Sequence, residues 1–208
     1  MRKTEFANEE HYHICNRGVD KRDVFSDSRD YDRFLKNLAD FNTTDPNWKK
    51  TTAQFQGFTL NEKPLVEIVA YCLNPNHYHL ILKQLQDNGI SEFMRRVGTG
   101  YTMYFNQKNE RSGSLFQGAF KSVHIDSNEY LLYLSAYINH NHFIHGYTKD
   151  KNEIYQYSSL PDYMKQRKQN WLSPEIIIEQ FANSQDYLEL SLANAKHMRD
   201  NKKTYTLE

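Results

Sequence analysis

The chain has 208 residues, 38% of them hydrophobic and 14% aromatic, enough for one well-filled core with a small appendage. Lys+Arg and Asp+Glu both number 26, so net charge gives no general attraction for nucleic acid, and any basic surface has to be local. No apolar run approaches the roughly 18 residues needed to cross a bilayer, and Cys15 and Cys72 lack a Cys-x-x-Cys spacing, so a membrane role is unsupported and a reduced, cytoplasmic protein is expected.

Residues 11–17 read as a first strand, with Tyr12 and Ile14 on one face and His11, His13 and Cys15 on the other, ending at Arg17-Gly18. Ser26 or Asp27 caps the next helix, whose Tyr31, Phe34, Leu35, Leu38 and Phe41 form a core-facing stripe. Residues 42–63 are polar and weakly periodic, a long connection with a short strand expected near 55–60. The near-continuous apolar run 65–73 predicts a central strand, and Asn74-Pro75-Asn76 turns it back into a second strand over 77–82.

That return strand begins His77-Tyr78-His79. A period of two puts both imidazoles on one face, where their neutral nitrogens make half of a divalent-metal site. The His11/His13 pair on the first strand is a rival with the same spacing.

After Asp87-Asn88-Gly89, the residues Ile90, Phe93, Met94, Val97, Tyr101, Tyr104 and Phe105 repeat at helical spacing, and Gly98 and Gly100 weaken that helix by roughly 1 kcal/mol each unless they permit a close approach. Between residues 93 and 121 the basic residues Arg95, Arg96, Lys108, Arg111 and Lys121 face the single acid Glu110, a local surplus suited to a phosphate backbone or to a solvated surface. An Asp126/Glu129 capping box starts a further helix with an aliphatic stripe, Leu131, Leu134 and Ile138, beside an aromatic one, Tyr130, Tyr133 and Tyr137. His140 and Asn141 follow Tyr137 at i+3 and i+4, so either can supply a third metal ligand. The helix ends near Gly146. Beyond it the chain turns polar, with a helix capped by Ser173-Pro174 and a last helix from about Ser184.

These residues resemble the single-tyrosine HUH transposases, most closely the REP-associated tyrosine transposase branch. The resemblance rests on His13-Ile14-Cys15-Asn16-Arg17-Gly18, Asp30-Tyr31-Asp32-Arg33-Phe34-Leu35, His77-Tyr78-His79, Tyr104-Phe105-Asn106, the run 113–122 and Tyr130-Leu131-Leu132, covering about residues 10–146. It implies an α+β, ferredoxin-like (RRM-like) antiparallel sheet with packed helices, with the catalytic domain at 1–146 and a helical C-terminal extension at 147–208. It further implies metal-dependent cleavage and transfer of single-stranded, hairpin-forming DNA through a 5′-phosphotyrosine. The family's Tyr-Ile-x-x-Asn-Pro segment falls on residues 137–142, making Tyr137 the nucleophile and Asn141 the third ligand beside His77 and His79. His142 stands where proline is common. Mg²⁺ or Mn²⁺ suits an oxygen ligand. His140 and His142 are then expected to face DNA or solvent. Arg17, Arg95, Arg96, Arg111 and Lys121 are the expected DNA-binding residues, and a monomer is favoured over a homodimer. Two other classes remain open: a hydrolytic metal-dependent nuclease and a DNA-hairpin-binding module without cleavage.

Overall fold

The computed structural model describes residues 5–45 and 63–201; the strand expected near 55–60 lies outside them. Four strands, β1 (His11–Arg17), β2 (Val66–Asn74), β3 (His77–Gln84) and β4 (Lys121–Ile125), pair in the order β2-β3-β1-β4, every pairing antiparallel. Helix α1 (Ser28–Asp40) connects β1 to β2, and α2 (Gly89–Lys108) connects β3 to β4, which is the ferredoxin-like arrangement.

Alternation along the strands makes two cores. Tyr12, Ile14, Tyr78, Leu80 and Leu82 point to one face and pack under α1 and α2. Asp27 caps α1 by accepting from the Asp30 amide. Of the three glycines in α2, Gly89 and Gly100 are needed for close approach, since a Cβ would stand 2.4 Å from the Leu65 carbonyl oxygen at the first and 2.7 Å from the Phe41 ring at the second, whereas Gly98 faces open space.

The opposite face carries Ala70, Cys72 and Ile81 and is covered by α3 (Asn128–Asn139) and α4 (Asn141–Ile144), against which α7 (Ser184–Asp200) packs in turn. Leu131, Leu134 and Ile138 form the buried stripe of α3 as expected. Its cap is Ser127, which accepts from the Tyr130 amide, and not Asp126. Two short helices, α5 (Leu160–Tyr163) and α6 (Glu175–Ile178), lie in the connection to α7; the N-cap of α6 is Pro174, one residue later than expected.

β2 is an edge strand, not the central one its apolar run predicted. Its outer edge is occupied by the C-terminal segment: Leu73 donates its amide to the Tyr157 carbonyl, Ser159 to Tyr71 and Ser173 to Ile68, at 2.8–2.9 Å. Covered on both faces and along its edge, the strand has no polar side to show in its sequence.

Candidate active site

The register of the sheet lays out the site in rows. Arg17, His77 and Asn74 lie opposite one another across β1, β3 and β2, and the next row on the same face is Lys121, Cys15, His79 and Cys72. The hairpin tip carrying His77 is pinned by the loop after β1. Pro75 accepts from the amides of Val24 and Phe25, and Gly18 donates to Asn76. Gly18 has no room for a side chain, because a Cβ would meet the Arg22 carbonyl at 2.3 Å.

His77 and His79 share a face, as the alternation predicted, and both are buried. His77 Nδ1 is 2.6 Å from Asn76 Oδ1, and the amide of Asn76 is oriented by its own donation to the Lys21 carbonyl, so His77 carries its proton on Nδ1. Nε2 then faces Asn141 Oδ1 at 3.1 Å and the Asn74 amide nitrogen at 3.2 Å. His79 Nδ1 lies 2.8 Å from His13 Nε2, and His79 Nε2 is buried with no hydrogen-bond partner. Burial first, then the neighbouring His13, His77, His145 and Arg17, hold the His79 pKa well below the usual imidazole range, and burial alone pushes His13 down to about 4.

Helix α3 brings Tyr137 over these rings. Its centroid is 5.4 Å from that of His79 and 6.4 Å from that of His13, edge to face, and its hydroxyl is 3.4 Å from His145 Nε2. His145 also packs against His77, ring centroids 5.0 Å apart. The sequence reading missed His145, although Tyr137, Asn141 and His145 follow an i, i+4, i+8 line that stays on one side of a helix.

His140 and Asn141 do not share a direction. The backbone bends at His140 (φ −107, ψ 14), where α3 gives way to α4. Asn141 turns into the site, whereas His140 Nε2 meets Ser191 Oγ of α7 at 2.9 Å and is 3% exposed. Burial lowers its pKa to about 4. The expectation of an exposed or DNA-facing His140 is therefore corrected; His142 is half-buried and stacked on Tyr155, ring centroids 3.8 Å apart. The rival pair also divides: His13 joins the site, while His11 lies opposite Lys83 toward the other end of the sheet.

The donor set fits a divalent ion. Two ligands each about 2.1 Å from one octahedral ion stand about 3 Å apart, which matches His77 Nε2 and Asn141 Oδ1, and the orphaned His79 Nε2 is the kind of atom a cation satisfies. Among the described residues a second donor set, His13, Cys15 and His79, has its atoms within 4.8 Å of one another. Its two imidazoles are already engaged with each other.

A cavity of about 270 Å³ opens beside the pair, lined by His77, His79, Cys15, Arg17, Lys21, Gln117 and Lys121 among others. It meets a larger cleft of about 520 Å³ at Asn16 and Ala119; Tyr78, Phe116, Phe120 and Arg95 are part of the cleft's lining. Of the expected DNA-binding residues, Arg17 and Lys121 thus reach the site, joined by Lys21, which the sequence did not single out. Arg95 is exposed and ion-paired with Glu92. Arg96 is corrected to a role in the fold: it is 7% exposed, pairs with Glu92 on its own helix, and ties α2 to the end of α1 by donating to the carbonyls of Phe41 and Thr43. Arg111 is likewise engaged, donating to Asn106 and to the Ser114 carbonyl to hold the turn before β4.

No helix among the described residues is long and apolar enough to cross a membrane. No curated protein matches the chain. Among solved structures, a REP-associated tyrosine transposase bound to a REP hairpin superposes with a TM-score of 0.52 at 14% identity, over 76% of this chain and 81% of that one, so the fold is shared. A candidate transposase from Deinococcus radiodurans gives a TM-score of 0.39 at 16% identity, over 66% of this chain and 95% of that one. The family model described as "Transposase IS200 like" matches residues 7–141, a span that runs from the approach to β1 through the histidine strand to Asn141. A match over more than half of the sequence, on the fold just described, means that the chain belongs to the IS200-like transposase family.

Proposed function

We propose that this IS200-like transposase cuts and rejoins single-stranded DNA through a 5′-phosphotyrosine on Tyr137, with Mg²⁺ or Mn²⁺ held by His77, His79 and Asn141. The observation that carries this reading is the meeting of a phenol and three metal-competent donors within one chain: Tyr137 packs on His79, and His77 Nε2 faces Asn141 Oδ1 at 3.1 Å. A site complete in one chain supports action as a monomer.

When bound, a hard divalent ion would neutralise charge on the scissile phosphate and favour its attack. The remaining work falls to side chains. A free phenol ionises near a pH of about 10, so Tyr137 needs a proton acceptor at neutral pH, and His145 Nε2 stands beside its hydroxyl. Tyr137 Oη forms the bond to phosphorus, the bond from phosphorus to the 3′ oxygen breaks, and the released strand takes up a proton to end in a 3′-OH. The reverse attack by a 3′-OH returns the proton to the phenolate, so rejoining needs no nucleotide cofactor.

Arg17, Lys21 and Lys121 line the cavity beside the histidines and are placed to bind backbone phosphates. The adjoining cleft, with Phe116 and Phe120 in its walls, suits unpaired bases, which favours a single strand over a duplex. Because the structural neighbour was solved with a REP hairpin, hairpin-forming DNA is the substrate class carried over to this chain.

Incubation of the protein with labelled single-stranded hairpin DNA and Mn²⁺ tests the reading. The expected product is a covalent protein–DNA adduct that survives denaturation and is absent with Tyr137→Phe. Cleavage without an adduct would replace it by the hydrolytic reading, and binding without cleavage by the binding-module one.

A further inference from the structure

His13 has no part in the mechanism above, yet it is 1% exposed and lies beside His79, its ring centroid 6.4 Å from that of Tyr137. Its Nε2 lies 2.8 Å from His79 Nδ1, with the two rings nearly parallel at 19°. One of these nitrogens carries the proton between them. If it were His13 Nε2, His79 would be left protonated at Nε2, and an N–H would point where a ligand lone pair is needed.

We infer that His13 is a positioning residue for His79: its Nε2 accepts the proton of His79 Nδ1, fixes the tautomer and aims the His79 Nε2 lone pair at the metal. The inference rests on the metal reading above. Three observations carry it. His77 is held in the same way, with Nδ1 donating to Asn76 Oδ1 at 2.6 Å and Nε2 turned inward, so the two ligands obtain matching tautomers from different partners. His79 Nε2 is buried and without a hydrogen-bond partner, as expected of a bare lone pair kept for a cation rather than of an N–H donor. The register also leaves His13 little alternative. It is opposite Ile81 on β3 and opposite Val123 on β4, one step diagonally from His79, so its ring lies along the sheet against the neighbouring imidazole and not toward the cavity mouth.

The chemistry is that of the outer partners that orient metal-binding histidines elsewhere, where a carboxylate or carbonyl usually plays the part. An imidazole in that place is neutral. It orients His79 without adding negative charge beneath the ion, which leaves the site's charge to the bound phosphate.

The test reads the tautomer directly. Long-range ¹H–¹⁵N correlation spectra of the metal-free protein should show His79 protonated at Nδ1, and His13→Ala should shift part of the population to Nε2–H. Titration with Mn²⁺ should show His13→Ala binding about 10- to 100-fold more weakly. His13→Gln, whose Oε1 can accept the same hydrogen bond, should restore both properties and guards against a simple loss of folding. His79 protonated at Nε2 in the native protein would overturn the inference, as would equal Mn²⁺ affinity in native and His13→Ala proteins. So would a thiolate-to-metal charge-transfer band with Co²⁺ that Cys15→Ser removes, since His13 would then be a ligand beside Cys15. A native protein that binds no divalent ion but shows the Nδ1–H tautomer would sink the metal reading while leaving the role of His13 in place.

Discussion

The amide oxygen of Asn141 lies 3.1 Å from Nε2 of His77, although 64 residues separate them. The contact exists because the backbone bends at His140, turning that histidine toward Ser191 and Asn141 toward the sheet. Asn141→Ala is therefore expected to weaken Mn²⁺ binding about as much as His77→Ala. His140→Ala should leave metal affinity within about twofold and instead cost about 1–3 kcal/mol of stability, because Ser191 loses a buried partner. Calorimetric titration with thermal melts separates the two effects, and the reverse order of metal affinities would reassign the third ligand.

Tyr137→Phe removes one hydroxyl and no charge. Adduct formation should disappear while affinity for single-stranded DNA stays within about twofold, and Tyr133→Phe should remain active. An adduct that persists in Tyr137→Phe, seen on a denaturing gel, would move the nucleophile elsewhere.

His145→Ala should slow adduct formation on the order of 100-fold near neutral pH, the lower range for loss of a proton-transfer group, with DNA binding retained. Single-turnover rates measure it. Unchanged rates would mean that the phenol gives up its proton to another acceptor.

Replacing Arg17, Lys21 and Lys121 together should flatten the slope of log affinity against log salt by about two units, at roughly 0.7 per phosphate contact for a single strand. Arg96→Ala should leave that slope unchanged and lower the melting temperature, because the guanidinium is buried against Glu92 and two carbonyls.

Stability should fall as the solution is acidified through the imidazole range. His140 has its pKa lowered by burial from 6.5 to about 4, so between those values the unfolded chain binds a proton that the folded one refuses. Its contribution is fully present above pH 6.5 and is lost as pH drops toward about 4, amounting to about 3 kcal/mol. Melting temperatures at pH 7.5 and 5 should differ less in His140→Gln than in the native protein. Equal differences would show that other groups govern the acid loss.

The sequence by itself determined the local order of this protein. Alternation put His77 and His79 on one face, the Asn74-Pro75-Asn76 turn made them start a return strand, and the stripe of Leu131, Leu134 and Ile138 told which side of the helix carrying Tyr137 is buried. These follow from periods of two and 3.6 residues, which are properties of the chain. What lies next to what across the sheet is not periodic. Only the tertiary structure decided that β2 is an edge strand sealed by residues 157–173, that His13 belongs beside His79 and not with His11, and that Arg96 is spent on the fold. The destinations of His140 and Asn141 were equally hidden, since adjacent residues on a straight helix would both have flanked Tyr137. A bend of one residue, held by Ser191 on one side and by Asn74 and His77 on the other, sends them apart.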